Sequence, residues 1–321
     1  MINRCMIRKY AAILVITVVV IVFLPEAVLA KGAVIGYAKD NKPTDAQLLN
    51  LTHVMAFSII PNNDGSLDIS KVSSWLNSTF VNNAHAKGVK VSISVGGGSD
   101  RSKGFTYATD ITILGTFVTN IRDFVINNNL DGVDIDWEYP NSANEWSQCI
   151  ALLNALKTHN DLNCKRISIA LRSHSPTSFP SLPSPNLPVL QQIWQTVDAI
   201  HLMTYDHASW SPHSNAADAI AVMDTWADWG TTGGRNLDKE KLFIGCAFYG
   251  WNYKIDQYGN KSIDWSESFT YASGDSFSCD SHSDDLVSVK TKVDSCYTKG
   301  YGGVFIWHLG CDLVATDPLH C

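Results

Sequence analysis

Asp131-Gly-Val-Asp-Ile-Asp-Trp-Glu138 sets carboxyl groups at alternate positions of a short apolar segment. On a β-strand the side chains alternate faces, so Asp134, Asp136 and Glu138 point one way and Val133, Ile135 and Trp137 the other. The three acids then stand roughly 6–7 Å apart along the strand. The apolar set suits a buried contact between a sheet and a helix. Burying acids together is costly unless they share protons or serve chemistry. Coupled carboxyls of this kind do acid–base work, because neighbours push their pKa values apart. A hard-cation site is the competing reading. Such sites draw ligands from flexible loops, and Val, Ile and Trp between the acids argue against one. No metal and no cofactor are expected.

Something must hold that row in place. Eight short apolar or alternating runs recur: Ala33–Ala38, His53–Ile60, Val89–Val95, Asp131–Glu138, Ile167–Arg172, Asp198–Tyr205, Leu242–Phe248 and Gly303–His308. Helical periodicity lies between them. Asp110–Asn128 carries Ile111, Leu114, Phe117, Ile121 and Phe124 behind Asp110 as N-cap. Ser283–Lys299 carries Leu286, Val289, Val293 and Tyr297 and stops at Gly300. Strands alternating with helices predict an α/β fold, a single (β/α)8 TIM barrel over residues 31–321. Pro176–Pro188 reads as a stiff loop after strand five rather than a domain linker, because three strands alone could not close a sheet. Trp251 to Tyr301 is the longest connection, with room for at most a reduced insertion between strands seven and eight.

In such barrels, chemistry sits at the C-terminal ends of the strands. Glu138 ends strand four, Tyr205 and Asp206 end strand six, and Trp307 ends strand eight, so they converge at one mouth.

The octapeptide, continuing as Tyr139-Pro140, resembles the signature strand of glycoside hydrolase family 18, the chitinase family. Ile93-Ser-Val-Gly-Gly97, Met203-Thr-Tyr-Asp206, Phe248-Tyr-Gly250 and Gly302-Gly-Val-Phe-Ile-Trp307 resemble further motifs of that family, in its order. The likeness runs from about residue 33 to 313. It implies a secreted chitinase that cuts β-1,4-linked N-acetylglucosamine polymers with retention, using the substrate's own 2-acetamido oxygen as nucleophile, a route outside the usual two-carboxylate scheme. The catalytic set implied is Glu138 as acid, Asp136 orienting the acetamido N–H, Asp134 behind it sharing a proton, and Tyr205 donating to the acetamido oxygen. Tyr37, Ser94, Met203, Asp206 and Trp307 are implied on the substrate side, with Trp307 as floor. An endo-β-N-acetylglucosaminidase acting on N-glycans would use the same groups. A chitin-binding lectin would have lost the acid, which is present here. Gly98 stands where many chitinases carry a stacking aromatic residue, and Ala247 and Trp251 replace a Pro and an Arg. Trp210 is a candidate platform instead, and His201 reads as a hydrogen-bonded core histidine.

Composition agrees with export. Arg4, Arg8 and Lys9 precede an apolar run from Ala11 to Leu24, then Pro25 and Val28-Leu-Ala30. That order is a secretory signal over residues 1–30, and the run is shorter than the ~20 residues a membrane span needs. Extracellular localisation is therefore expected. With 45% apolar and 17% charged residues the chain can bury a sizeable core. A formal net charge of −7 argues against nucleic acid and anionic membranes as partners. Chitin or N-acetylglucosamine oligosaccharides are the partners expected of a monomer. Neighbour spacing suggests bridges 149–164, 279–296 and 311–321 in an oxidising compartment, with Cys246 unpaired in an apolar run. Asn50, Asn77 and Asn260 head glycosylation triplets.

Overall fold

The computed structural model describes residues 32–178, 187–207, 213–255, 261–269 and 286–311. The expected leader, together with Trp210, Asn260, Cys279 and Cys321, lies outside them. Eight parallel strands form the barrel: β1 (Ala33–Lys39), β2 (His53–Pro61), β3 (Lys90–Gly97), β4 (Gly132–Trp137), β5 (Arg166–Arg172), β6 (Ala199–Met203), β7 (Leu242–Ala247) and β8 (Gly303–Trp307). Each pairs with the next in sequence, and β1 also pairs with β8, so the sheet closes without an edge.

A helix follows each strand from β1 to β7: α1 (Asp45–Leu48), α2 (Ser78–Ala86), α3 (Leu114–Asn127), α4 (Ala143–Thr158), α5 (Leu187–Thr196), α6 (Ala216–Thr231) and α7 (Leu286–Lys299), with a further short helical turn at Phe105–Ala108 between β3 and α3. Side-chain oxygens start several of them. Asn77 accepts from Phe80 N at 3.1 Å, Ser142 from Glu145 N at 3.2 Å and Asn215 from Asp218 N at 2.9 Å, each meeting an N–H that the first turn leaves unpaired. None of these helices is long and apolar enough to cross a membrane.

Alternation divides the core as expected. Val133, Ile135 and Trp137 join the layer between sheet and helices, where Trp137 stacks on Phe105 with ring centroids 4.9 Å apart. A second cluster fills the barrel: Ile35, Tyr37, Met55, Phe57, Phe243 and Phe305. Packing of that kind makes the barrel a solid support rather than a pore.

Several expectations need correction. Asp110 does not cap α3: its carboxylate takes Thr112 N at 2.9 Å in a local turn, the helix begins at Leu114, and Ile111 is 85% exposed. The Pro-rich tract is not loop to its end: α5 begins at Leu187 with Pro188 in its first turn, where a missing N–H costs nothing, and residues 179–186 of the tract lie outside the described residues. On α7 the expected stripe is rotated away. Val293 and Tyr297 are exposed, and Lys292, Ser295 and Cys296 face the barrel instead. Between β7 and β8 the described residues form an antiparallel hairpin of Gly250–Ile255 and Lys261–Phe269, in keeping with the reduced insertion expected there, and residues 256–260 and 270–285 lie outside them. The bridge expected between Cys149 and Cys164 is not formed, while 279–296 and 311–321 each have one cysteine outside the described residues. Cys149 lies on the barrel-facing side of α4, whereas Cys164 is exposed, so nearness in sequence did not align them.

Candidate active site

The octapeptide divides in two. Asp131 stays at the lower end of the barrel, where it accepts Val91 N at 2.8 Å and meets His85 Nε2 at 2.7 Å. Asp134, Asp136 and Glu138 climb the inner face of β4 toward the mouth. Asp134 is fully buried. It accepts Ser168 Oγ at 2.6 Å, Tyr37 Oη at 2.9 Å and Ser94 Oγ at 3.3 Å. Even with these donors, burial raises its pKa above the usual carboxyl range. Tyr37 and Ser94 thus do brace the carboxyl row. His201 is a core histidine, as expected, but it touches the row: Nδ1 lies 2.7 Å from Tyr37 Oη and 3.4 Å from Asp134 Oδ1. Burial holds its pKa well below the usual value, so the ring is neutral.

Asp136 is 4% exposed, and its Oδ1 has no hydrogen-bond partner among the described residues. Burial, then the charges of Glu138 and Asp134, push its pKa well above normal, against the opposing pull of Arg101. Glu138 is also raised, chiefly by burial, with Asp206 adding and Tyr139 and Arg172 opposing. These carboxyls keep protons that isolated ones would lose.

The turn beside them explains the glycine pair of the β3 motif. Gly96 and Gly97 have φ of +97° and +114°, and a Cβ on Gly96 would come within 2.4 Å of Asp136 O. Just beyond, Ser102 donates to Gly97 O at 2.7 Å and accepts Glu138 N at 2.9 Å, which fixes the backbone that carries Glu138.

Strands β6 and β8 bring the other candidates. Tyr205 is buried against Phe305, with ring centroids 5.9 Å apart, and burial pushes its phenol well above the usual range. Asp206 adopts φ +60° and accepts Tyr249 Oη at 2.7 Å, while its N–H donates to His213 Nδ1 at 3.0 Å. Trp307 packs edge-on against Phe57 and Tyr37, with ring centroids 4.6 and 5.7 Å away.

All of these meet in a cavity of about 520 Å³, lined by Tyr37, Asp136, Glu138, Met203, Tyr205, Asp206 and Trp307. Of the nine residues expected from sequence, Asp134 and Ser94 stand behind this lining, and the rest are on it. Gly98 lines it too, and a Cβ there would meet Glu138 Oε2 at an ordinary 3.5 Å. Ala247 packs in the barrel cluster beside Tyr205.

The sequence reading passed over one wall. Tyr139, Arg172, Ser173, His174 and His207 also line the cavity. The signal for Arg172 was parity, because Ser168, Ala170 and Arg172 share the inward face of β5. Tyr249 stood inside the Phe248-Tyr-Gly250 motif without a role assigned to it, and Ser102 and His213 offered no signal of their own beyond nearness to motifs.

Comparisons with known proteins follow from this geometry. Residues 33–312 match the sequence profile described as glycosyl hydrolases family 18. A chitinase-like effector of Moniliophthora perniciosa is 28% identical over 256 residues, which are 71% of this chain and 57% of that protein. A secreted chitinase of Penicillium expansum is also 28% identical, over 64% of this chain and only 15% of its own length. The chain therefore spans little more than half of the first relative and a small part of the second. Among solved structures, a chitinase from Rhizomucor miehei superposes with TM-score 0.66 at 25% identity, covering 88% of this chain and 96% of that one. A class V chitinase from Nicotiana tobaccum in complex with NAG4 gives 0.69 at 21%, covering 88% and 95%. A chitinase-like agglutinin from Robinia pseudoacacia gives 0.69 at 22%, covering 87% and 95%.

Proposed function

The chain belongs to glycoside hydrolase family 18, and on that premise we propose that it is a secreted chitinase hydrolysing β-1,4-linked N-acetylglucosamine polymers by substrate-assisted catalysis with retention. One observation carries the reading. A buried carboxyl oxygen, Asp136 Oδ1, has no partner among the described residues and belongs to a cavity-lining side chain beside a proton-retaining Glu138. An orphaned buried acceptor is costly in a resting protein. A 2-acetamido N–H would satisfy it.

In this reading a sugar rests on Trp307, and Glu138 gives its proton to the linking oxygen as that bond breaks. The acetamido oxygen attacks C1 from the other side, forming an oxazolinium ion. Asp136 holds the acetamido N–H and balances the positive charge that develops. Tyr205, whose raised pKa keeps its hydroxyl proton, donates to the acetamido oxygen. Asp134 supports Asp136 from below, braced by Tyr37, Ser94 and Ser168. Glu138, now ionised, takes a proton from water, which opens the ring at C1 and restores the starting configuration. Asp206 and Met203 border the sugar from β6.

The tobacco structure with NAG4 supports a chito-oligosaccharide ligand, and the named chitinases support turnover. The effector and the agglutinin favour the alternative of binding without cleavage. Retention of Glu138, Asp136, Asp134 and Tyr205 weighs against it. Release of the fluorophore from a diacetylchitobioside by the leaderless protein, and its loss in Glu138→Gln, tests the choice. Binding without any turnover by the unaltered protein would make it a lectin, and activity on glycoproteins alone would make it an N-glycan enzyme. Export through residues 1–30, a monomeric state and glycans at the exposed Asn50 and Asn77 belong to the same proposal.

A further inference from the structure

Arg172 is a charge in the cavity wall with no ion-paired carboxylate among the described residues, although it pulls on the Glu138 carboxyl. Arg101 and Arg122 each have a carboxylate within 3.9 Å. Among the described residues Arg172 has an aromatic face instead, with its guanidinium carbon 3.5 Å from the centroid of the Tyr139 ring. A guanidinium stays protonated at any working pH and packs flat on aromatic rings. Tyr139 directly follows Glu138, and both Tyr139 and Arg172 line the cavity.

Position in the ring of strands says which part of a substrate they face. β8, which carries Trp307, lies opposite β4 in the closed sheet, whereas β5, which carries Arg172, is hydrogen-bonded to β4. If Trp307, Asp136 and Tyr205 hold the reacting sugar, Glu138 reaches the linking oxygen from β4. The groups left beside Glu138 for the next sugar are then Gly98, Tyr139, Arg172 and His174.

Among the described residues no carboxylate forms an ion pair with the guanidinium, and its electrostatic neighbour is the acid Glu138. Burial lowers His174 and takes His207 down to about 4, so neither ring adds a positive charge as readily as a free histidine would. The cavity carboxylate Asp206 is taken up by Tyr249 Oη. Asp136 and Glu138 retain protons more strongly than ordinary carboxyls.

We propose that Arg172 sets the specificity of the leaving-group side of the cleft, admitting an N-acetylated, uncharged sugar there and rejecting a deacetylated one. Glucosamine would bring an ammonium beside the unpaired guanidinium, while N-acetylglucosamine brings a neutral amide. Two like charges several ångström apart in a cleft of intermediate dielectric repel enough to cost about tenfold in affinity. The inference rests on the chitin-cleaving reading above for the course of the sugar chain.

The test uses chito-oligosaccharides acetylated throughout, or with one free amine on the reducing-end unit, which lies on the leaving side. Calorimetry with Glu138→Gln, which cannot cleave them, should show about tenfold weaker binding of the amine form. Adding Arg172→Gln should bring the two ligands within about twofold, and Arg172→Lys, which keeps the charge, should keep the gap. Cleavage of partly acetylated chitosan by the otherwise unaltered protein gives a second readout. The unit after each cut bond should be strongly enriched in acetyl groups, and Arg172→Gln should return it to the polymer's composition. An unchanged gap and unchanged enrichment in Arg172→Gln would overturn the role of Arg172 while leaving the chitinase reading intact. Failure to bind or cut even the acetylated ligand would overturn both.

Discussion

Lys292 Nζ lies 3.1 Å from the carbonyl oxygen of Gly245, the glycine on which the ring of Tyr205 rests. A Cβ on Gly245 would come within 2.7 Å of Tyr205 Cε1. The same ammonium donates to Ser214 Oγ at 2.8 Å, and Ser214 donates to Thr204 O at 3.1 Å. Thr204 and Gly245 exchange two further bonds, at 3.0 and 2.9 Å. One fully buried lysine from α7 thus ties together the residue before Tyr205 and the strand beneath its ring.

Lys292→Met keeps much of the volume but removes a charged donor from two buried acceptors, a cost of about 1–3 kcal/mol in stability. Because the slack appears at Tyr205, kcat should fall by about tenfold, the scale of a displaced transition-state donor. In a Tyr205→Phe background the same change should cost little more, and Ser214→Ala should follow the pattern more mildly. Equal factors in both backgrounds would mean that Lys292 acts on folding alone.

Glu138→Gln should lower kcat by about 10²–10⁴, the range for a positioned general acid. The amide keeps the shape of the side chain, so oligosaccharide affinity should stay within about threefold. Kinetics on the chitobioside paired with calorimetry gives both numbers, and an unchanged kcat would remove Glu138 from the role of acid.

Asp136→Asn separates the assisted route from a conventional one. Asp136 balances charge that appears only in the transition state, so its loss should cut kcat far more than binding. Proton NMR of the first products should show the β-anomer, and a thiazoline mimic of the oxazolinium should inhibit strongly. A sugar trapped covalently on Asp136, or an α-anomer formed first, would sink the assisted mechanism.

Asp136 should also make the fold less stable at neutral pH than in mild acid. Its folded pKa is raised. The folded protein therefore binds that proton more tightly than the unfolded chain does. This contribution is fully present below the unfolded value near 4 and is lost as pH rises through the folded value. Melting curves of Asp136→Asn should lie above those of the unaltered protein at pH 7 and converge near pH 4. An equal shift at both pH values would contradict a raised pKa. Activity should likewise decline as pH rises through the elevated pKa of Glu138.

Much of this molecule was legible because strands and barrels impose simple periodicities. Alternation on β4 determined that Asp134, Asp136 and Glu138 share a face, and the place of each motif at a strand end determined that Tyr205, Asp206 and Trp307 meet there. Neither conclusion needs a contact between distant residues. Helix faces were less secure. The apolar spacing in α7 favoured Leu286, Val289, Val293 and Tyr297, yet Lys292 turned inward because its ammonium finds a carbonyl and a hydroxyl at the strand ends. Side-chain partnership across the barrel was invisible in sequence for the same reason. Tyr37 and Asp134 are 97 residues apart, Tyr37 and His201 164 apart, and only closure of the sheet brings them within hydrogen-bonding distance. Protonation followed from that closure too. The sequence supplied the carboxyls, but how far each holds its proton depends on burial and neighbouring charge, and both are properties of the folded barrel.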